Sequence, residues 1–226
     1  MRLHAVEERS MGSFLRYLSS RWDGLLELAA AHAAVVFVSL LIAVAIGVTA
    51  GVLVYRRERA AEVVLAVAST FLTIPSFALF GLLVPILGLG WPPTVFALVM
   101  YALLPIVRNT VTGLREVDPA ITESAQGMGM SGRERLLRIE LPLAWPVILA
   151  GVRVSTLIIV GITAVAAFVN GPGLGSDIFQ GISRIGSAVA LNQVLAAVLA
   201  IVVLAILFDG FFAILGKLTT SKGLDA

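Results

Sequence analysis

The sequence of 226 residues contains no cysteine and only two histidines, His4 and His32. Disulfides and cysteine-based metal or redox chemistry are therefore excluded, and the two histidines have no partner at metal-ligand spacing. Charged residues are also scarce, at 13% of the chain, while 59% of residues are hydrophobic and the mean hydropathy is +1.01. A soluble core of this size needs far less apolar material, so the composition indicates an integral membrane protein.

Nucleotide and nucleic-acid sites are also missing from the sequence. The formal charge of +2 is small and the basic residues lie between apolar runs, so we expect no nucleic-acid partner. The run Asn170 to Asp177 is rich in glycine but lacks the Lys-Ser/Thr ending of a phosphate-binding loop. We expect it to be a re-entrant loop on the outer side. With no catalytic pair or cofactor motif either, the chain is not expected to be an enzyme or to hold a cofactor.

What the sequence does contain is long apolar runs. No Asp, Glu, Lys or Arg occurs in positions 28–55, 63–107 or 185–208. A spanning helix needs roughly 20 such residues. We predict an all-α membrane protein with five spans, at about 32–54, 62–87, 94–114, 142–169 and 188–216. Pro75 and Pro85 lie inside the second span, which is expected to be kinked or broken and would raise the count to six if split.

The predicted domain organisation follows from these spans. Residues 1–31 mix acidic and basic side chains and form an extramembrane or amphipathic segment, residues 32–216 form the transmembrane domain with the loop 115–142, and residues 217–226 form a tail. The basic residues predict that the N-terminus lies outside and the C-terminus in the cytoplasm. In this orientation the cytoplasmic side receives Arg56, Arg57, Arg59, Arg108, Arg115, Arg133, Arg135, Arg138, Lys217 and Lys222.

The loop at 115–142, between the third and fourth spans, has strong helix signals. Asp118 can cap a helix with Pro119 at its first position, and we expect this helix to run through Gln126. Gly127 and Gly129 then end it.

A second short helix is predicted next in this loop. Ser131 followed by Glu134 is a capping-box pattern, and Pro142 is expected to open the fourth span. Two short helices at the membrane surface form a knob that can dock in a groove of another protein. The apolar residues available for such docking are Ala125, Met128, Met130 and Leu136. An ordinary loop that packs on its own helix bundle explains the pattern equally well.

The same loop resembles the EAA loop of ABC importer permeases. The resemblance rests on Glu123-Ser124-Ala125, three residues, Gly129, nine residues, Ile139, one residue and Leu141-Pro142. It implies the type I ABC importer permease fold and a coupling helix that sits in a cleft of a separate ATP-binding subunit. The residues that would couple to the ATPase are Glu123, Ser124, Ala125, Gly129, Ile139, Leu141 and Pro142.

Three further stretches look most like the branch of that family which imports quaternary amine osmoprotectants. They are 73–76, 101–110 and 127–130, with Leu72 where the branch usually has glutamine. The resemblance implies glycine betaine, proline betaine, carnitine or choline as the solute. A quaternary ammonium gains from aromatic faces but donates no hydrogen bond. Candidate residues of the substrate pathway are Thr73, Pro75, Ser76, Tyr101 and Asn109.

Two charged residues lie inside predicted spans. Arg153 is about ten residues into the fourth span and Asp209 is about two turns before the end of the fifth. An ionisable side chain at such depth is costly unless it is paired or hydrated. A structural ion pair between the two is favoured over a contact with the substrate.

The resemblance also implies partners. These are ABC ATP-binding subunits, a second copy of the permease or a paralogue, an extracytoplasmic solute-binding protein and membrane lipid. The alternatives are an ABC permease for another small solute such as an amino acid, and an ion-coupled secondary transporter. A secondary transporter usually has more spans, inverted repeats and acidic residues at the membrane midplane. An intramembrane enzyme would need a nucleophile and base or a metal cluster, and the spans contain neither.

Overall fold

Every described element of the chain is helical. The computed structural model describes residues 2–187 and 189–219. The elements in chain order are α1 (Arg2–Val54), α2 (Glu58–Thr73), α3 (Ser76–Leu87), α4 (Trp91–Arg115), α5 (Pro119–Gly127), α6 (Gly132–Arg135), a π-helical turn (Leu136–Glu140), α7 (Leu141–Thr163), a 3-10 turn (Ala164–Val169), α8 (Gly175–Ser183) and α9 (Ala190–Thr219).

Four stretches are each long and apolar enough to cross a membrane: Gly12–Val54, Trp91–Arg115, Gly132–Val169 and Ala190–Thr219. Helices α2 and α3 meet at a bend of 98°. Counted together as one broken span, they give a fifth crossing. The predicted all-α fold is thus confirmed. The predicted break falls at Pro75, whereas Pro85 lies inside α3 without ending it.

Helix α1 is longer than the predicted first span. We expected that span to begin near His32, and α1 runs without interruption from Arg2 to Val54, so the residues before His32 continue the same helix. Charged residues such as Asp23 and Glu27 suggested a boundary between an N-terminal segment and the first span. Yet no proline or glycine turn divides the segment, so the backbone continues as one helix. The extramembrane position of residues 1–31 stays a prediction.

The contacts divide the chain into two compact units. One comprises residues 1–38, 76–97 and 160–206, and the other comprises residues 39–75, 98–159 and 207–226. The second unit has a core between α1, α4 and α7 that includes Val107, Val111 and Ile148. A Cβ on Gly151 would lie 2.7 Å from the carbonyl oxygen of Pro105, so α4 and α7 approach closely there.

The first unit contains the glycine-rich run after the 3-10 turn. His32 is fully buried in it, and its Nε2 lies 3.0 Å from the carbonyl oxygen of Val160. A Cβ on Gly175 would lie only 2.0 Å from the carbonyl oxygen of Ala164, so backbone packs directly on backbone. Close packing therefore accounts for these glycines. The position of this run as an outer re-entrant loop stays a prediction.

Candidate functional site

The loop after α4 folds from the local signals in its sequence. The Asp118 carboxylate accepts a hydrogen bond of 2.8 Å from the backbone N–H of Ala120, and Pro119 occupies the first position of α5. Helix α5 ends at Gly127, one residue later than predicted. Gly129 then adopts a φ of 86°, a left-handed conformation that favours glycine.

The second capping signal is confirmed as well. The Ser131 N–H donates to Glu134 Oε2 at 3.0 Å, and the Glu134 N–H donates back to Ser131 Oγ at 3.3 Å. These two bonds form a capping box at the start of α6.

The expectation that Pro142 opens a helix was wrong. Helix α6 continues through the π turn into α7, so one helical stretch extends from Gly132 to Val169, and the position at which it enters the membrane stays a prediction. A proline clashes with the carbonyl four residues before it and has no N–H to donate. The wider π turn directly precedes Pro142, where the Leu141 N–H bonds to the carbonyl of Leu136, five residues earlier. The helix thereby accommodates the proline without ending.

The exposed side of α5 is the surface available to another protein. Glu123 and Ser124 are exposed, Met128 is 73% exposed, and a Cβ added at Gly129 would meet no atom within 4 Å. Ala125 is instead buried, at 1% exposed. The remaining predicted coupling residues are the half-buried Ile139 and Leu141 and the exposed Pro142.

Glu140, the last residue of the π turn, is a buried carboxylate that was not predicted from the sequence. Glu140 is 3% exposed and accepts a 2.5 Å hydrogen bond from the Tyr55 hydroxyl. Two guanidinium groups also bond to it, from Arg56 at 2.9 Å and from Arg135 at 2.8 Å. Arg135 further donates to the Gln126 side chain at 3.1 Å. We call these five residues the Glu140 cluster.

The environment of Tyr55 keeps its hydroxyl protonated, so that it can donate its hydrogen bond to Glu140. Burial, then the hydrogen bond to Glu140 and the charge of that carboxylate, raise the pKa of Tyr55 to about 12. The phenol is therefore protonated at physiological pH. The only signal in the sequence was the position of Glu140 between the apolar residues Ile139 and Leu141, at the start of a span.

The predicted pathway residues are only partly brought together. The Tyr101 hydroxyl, on a side chain 2% exposed, donates at 2.7 Å to the carbonyl of Ile74 at the break after α2. Thr73 and Pro75 flank that carbonyl and are exposed, and Ser76 begins α3.

Asn109 is separate from this break. It lies two helical turns further along α4 from Tyr101, and its amide bonds within the helix to the carbonyl of Pro105 at 2.9 Å.

Arg153 and Asp209 form a two-pronged ion pair. The guanidinium Nε lies 2.5 Å and Nη2 2.6 Å from the two carboxylate oxygens. Both side chains are partly exposed, at 44% and 35%. Arg153 also lines a groove of about 230 Å³ between α7 and α9, together with Phe212 and Lys217. The purely structural role of this pair stays a prediction.

Comparisons with known proteins agree on one family. The family described as "Binding-protein-dependent transport system inner membrane component" matches residues 43–221. The glycine betaine/carnitine/choline transport system permease protein OpuCB of Bacillus subtilis is 32% identical over 95% of this chain and 97% of its own length. The osmoprotectant import permease protein OsmW of Salmonella typhimurium is 38% identical over 93% and 98%.

A solved structure shares the fold. A chain of the MetNI methionine ABC transporter, in an inward-facing conformation, superposes with a TM-score of 0.77 at 22% identity. The match covers 87% of this chain and 96% of the other.

Proposed function

The chain belongs to the family of binding-protein-dependent transport system inner membrane components, and from that premise we propose that it carries osmoprotectant quaternary amines into the cell. It is a permease subunit of an ABC transporter and has the type I ABC importer permease fold. The proposed solutes are glycine betaine, proline betaine, carnitine and choline. The observation that carries this proposal is the similarity to permeases named for such solutes over more than nine-tenths of the chain.

The proposed coupling surface is the exposed side of α5. We assign the coupling to the ATP-binding subunit, by direct contact or by support of that contact, to Glu123, Ser124, Ala125, Gly129, Ile139, Leu141 and Pro142. The exposure of Glu123, Ser124 and Met128 and the open space at Gly129 support docking in a groove of that subunit. Since Ala125 is buried, its contribution is to hold α5 on the permease.

Two ATP-binding subunits, a second permease copy or paralogue and a solute-binding protein complete the proposed transporter. ATP is hydrolysed by the ATP-binding subunits. When these subunits close, the permease moves, and its solute pathway opens alternately to the outside and to the cytoplasm. The bias of basic residues supports a cytoplasmic C-terminus and an outer N-terminus, which would place α5 on the side of the ATPase.

The proposed pathway includes Thr73, Pro75, Ser76, Tyr101 and Asn109. A break in a helix at membrane depth is tolerated where its backbone is buried in protein or lines a water-filled cavity. Discontinuous helices are also where transporters commonly bind their solutes. The exposed Thr73 and Pro75 at the break after α2 fit this pattern.

The test is uptake of radiolabelled glycine betaine into proteoliposomes that contain the complete transporter. We expect uptake that requires ATP and the ATP-binding subunit and that unlabelled choline and carnitine reduce. Uptake without the ATP-binding subunit would reject the ABC mechanism in favour of an ion-coupled transporter. ATP-dependent uptake of labelled methionine, with no uptake of labelled glycine betaine, would instead reject the solute class and favour an amino acid.

A further inference from the structure

The Glu140 carboxylate is fully occupied by its partners. It has 4% of its side-chain surface exposed, whereas the Arg56 side chain is 50% exposed and that of Arg135 is 16% exposed. A buried carboxylate is stable only with compensating charges and hydrogen bonds, and the loss of one partner leaves an expensive buried charge. Tyr55 and the two arginines together supply this compensation, so their positions and that of Glu140 depend on one another.

The π turn is what allows Arg135 and Glu140 to meet. In an α-helix of 3.6 residues per turn, side chains five positions apart point about 140° away from each other. The π turn spans Leu136–Glu140 and closes on bonds five residues apart, which returns the fifth residue to nearly the same side of the helix. Arg135 Nε therefore reaches Glu140 Oε1 at 2.8 Å within one helix. Such turns occur frequently at functional sites.

The contacts of the cluster extend in two directions. Toward α5, Arg135 donates to the Gln126 side chain at 3.1 Å. Toward α1, Glu140 binds Tyr55 and Arg56, which directly follow the last residue of that helix. The Tyr55 carbonyl also accepts a hydrogen bond of 2.8 Å from Arg115 at the end of α4. A continuous path of polar contacts thus joins the exposed helix α5 to the C-terminal ends of α1 and α4.

We infer that Glu140 is a positioning residue that fixes α5 to the C-terminal end of α1, so that a displacement of α5 is transmitted to the first span. This inference rests on the proposed function, because it assigns a task to Glu140 only if α5 docks on the ATPase. Packing alone would tie α5 through a single buried residue, Ala125, whose methyl group can slide. Arg135 is fixed by its bond to the buried Glu140 carboxylate and donates to Gln126, which adds a directional contact to that packing.

The experiment compares solute moved per ATP hydrolysed in proteoliposomes that hold permease, ATP-binding subunit and solute-binding protein. Glu140→Gln keeps the shape of the side chain but removes the charge that holds both arginines. We expect ATP hydrolysis to stay within about twofold of the unaltered transporter, while the solute moved per ATP falls at least about fivefold, the low end of usual coupling between two sites. Glu140→Asp keeps the charge and should lie closer to the unaltered value.

The matched control is Glu58→Gln. Glu58 is exposed and lies in the same segment as Arg56, so the variant removes an equal negative charge without touching the Glu140 carboxylate. Its ratio of solute to ATP should equal that of the unaltered transporter. Tyr55→Phe removes one hydroxyl and leaves both arginines in place. If Glu140→Gln does not assemble, Tyr55→Phe tests the same inference in its place. We expect it to lower the amount of solute moved per ATP hydrolysed by a smaller factor.

A merely structural role gives a different result. If Glu140 only helps the chain to fold, uptake and ATP hydrolysis fall in proportion and their ratio stays constant, which overturns the inference. An unchanged ratio in Tyr55→Phe overturns it as well. Failure of the proposed function is seen separately, since the unaltered transporter would then take up solute without the ATPase or hydrolyse ATP without uptake.

Discussion

The conformation of Gly129 leads to the sharpest prediction about the coupling loop. Its φ of 86° lies in the left-handed region, and a Cβ built there would meet no atom within 4 Å. Gly129→Ala therefore introduces backbone strain without a clash. Any effect of this variant measures how much docking on the ATPase needs the left-handed turn after α5.

The size of the effect follows from the backbone. A residue with a Cβ pays roughly 1–2 kcal/mol for the left-handed conformation, which depopulates the native turn by a factor of about 5 to 30. If only the native turn docks, the apparent affinity of the permease for the ATP-binding subunit falls by the same factor. Gly129→Asn should recover most of this loss, since asparagine tolerates the left-handed region better than other residues.

The assay is titration of the purified ATP-binding subunit onto the permease in lipid nanodiscs. Gly127→Ala is the matched control, because it adds the same methyl group two residues earlier, at a helical position with open space around it. We expect it to bind as tightly as the unaltered permease, since alanine also favours the helix. Unaltered affinity in Gly129→Ala, or equal weakening in Gly127→Ala, would refute the reasoning from backbone conformation.

Further predictions concern packing and pairing away from this loop. Gly151→Ala should lower the yield and the thermal unfolding midpoint of the permease, because its Cβ would lie 2.6 Å from that of Asn109, whereas Gly161→Ala, with open space, should not. Arg153→Ala and the equivalent Asp209→Ala should each reduce the amount of assembled transporter on size-exclusion chromatography. The double variant that exchanges the two residues, Arg153→Asp with Asp209→Arg, should restore part of the assembled transporter. A double variant that restores none of it would contradict a structural pair. Tyr101→Phe leaves the carbonyl at the break after α2 without its donor and should destabilise the permease by about 1–3 kcal/mol. An unchanged midpoint of thermal unfolding would show that this bond contributes nothing.

The features that sequence reasoning predicted correctly are local. The caps at Asp118 and Ser131 depend on side chains within three residues of the backbone groups they bond. The break at Pro75 depends on a single residue that cannot donate a hydrogen bond. Such signals act through short separations along the chain, so they can be recognised without knowledge of the fold.

The Glu140 cluster could not be predicted in this way. Tyr55 and Glu140 are 85 positions apart, and no spacing in the sequence relates them. The π turn is equally hidden, because it depends on how the helix accommodates Pro142 within the packed unit. Once that turn is missed, Arg135 and Glu140 are assigned to different sides of the helix. Pro142 is then wrongly expected to begin a new helix.

Helix α5 needs such long-range contacts because it is short. It has nine residues, and isolated helices of fewer than about 12 to 15 residues are only marginally stable in water. Its orientation must therefore come from the rest of the permease. The adjacent residues Ala125 and Gln126 make that attachment, through burial and through Arg135, while Glu123 and Ser124 face outward. One turn of helix thus carries both the exposed surface and its anchor, which is the arrangement that a transmitted displacement requires.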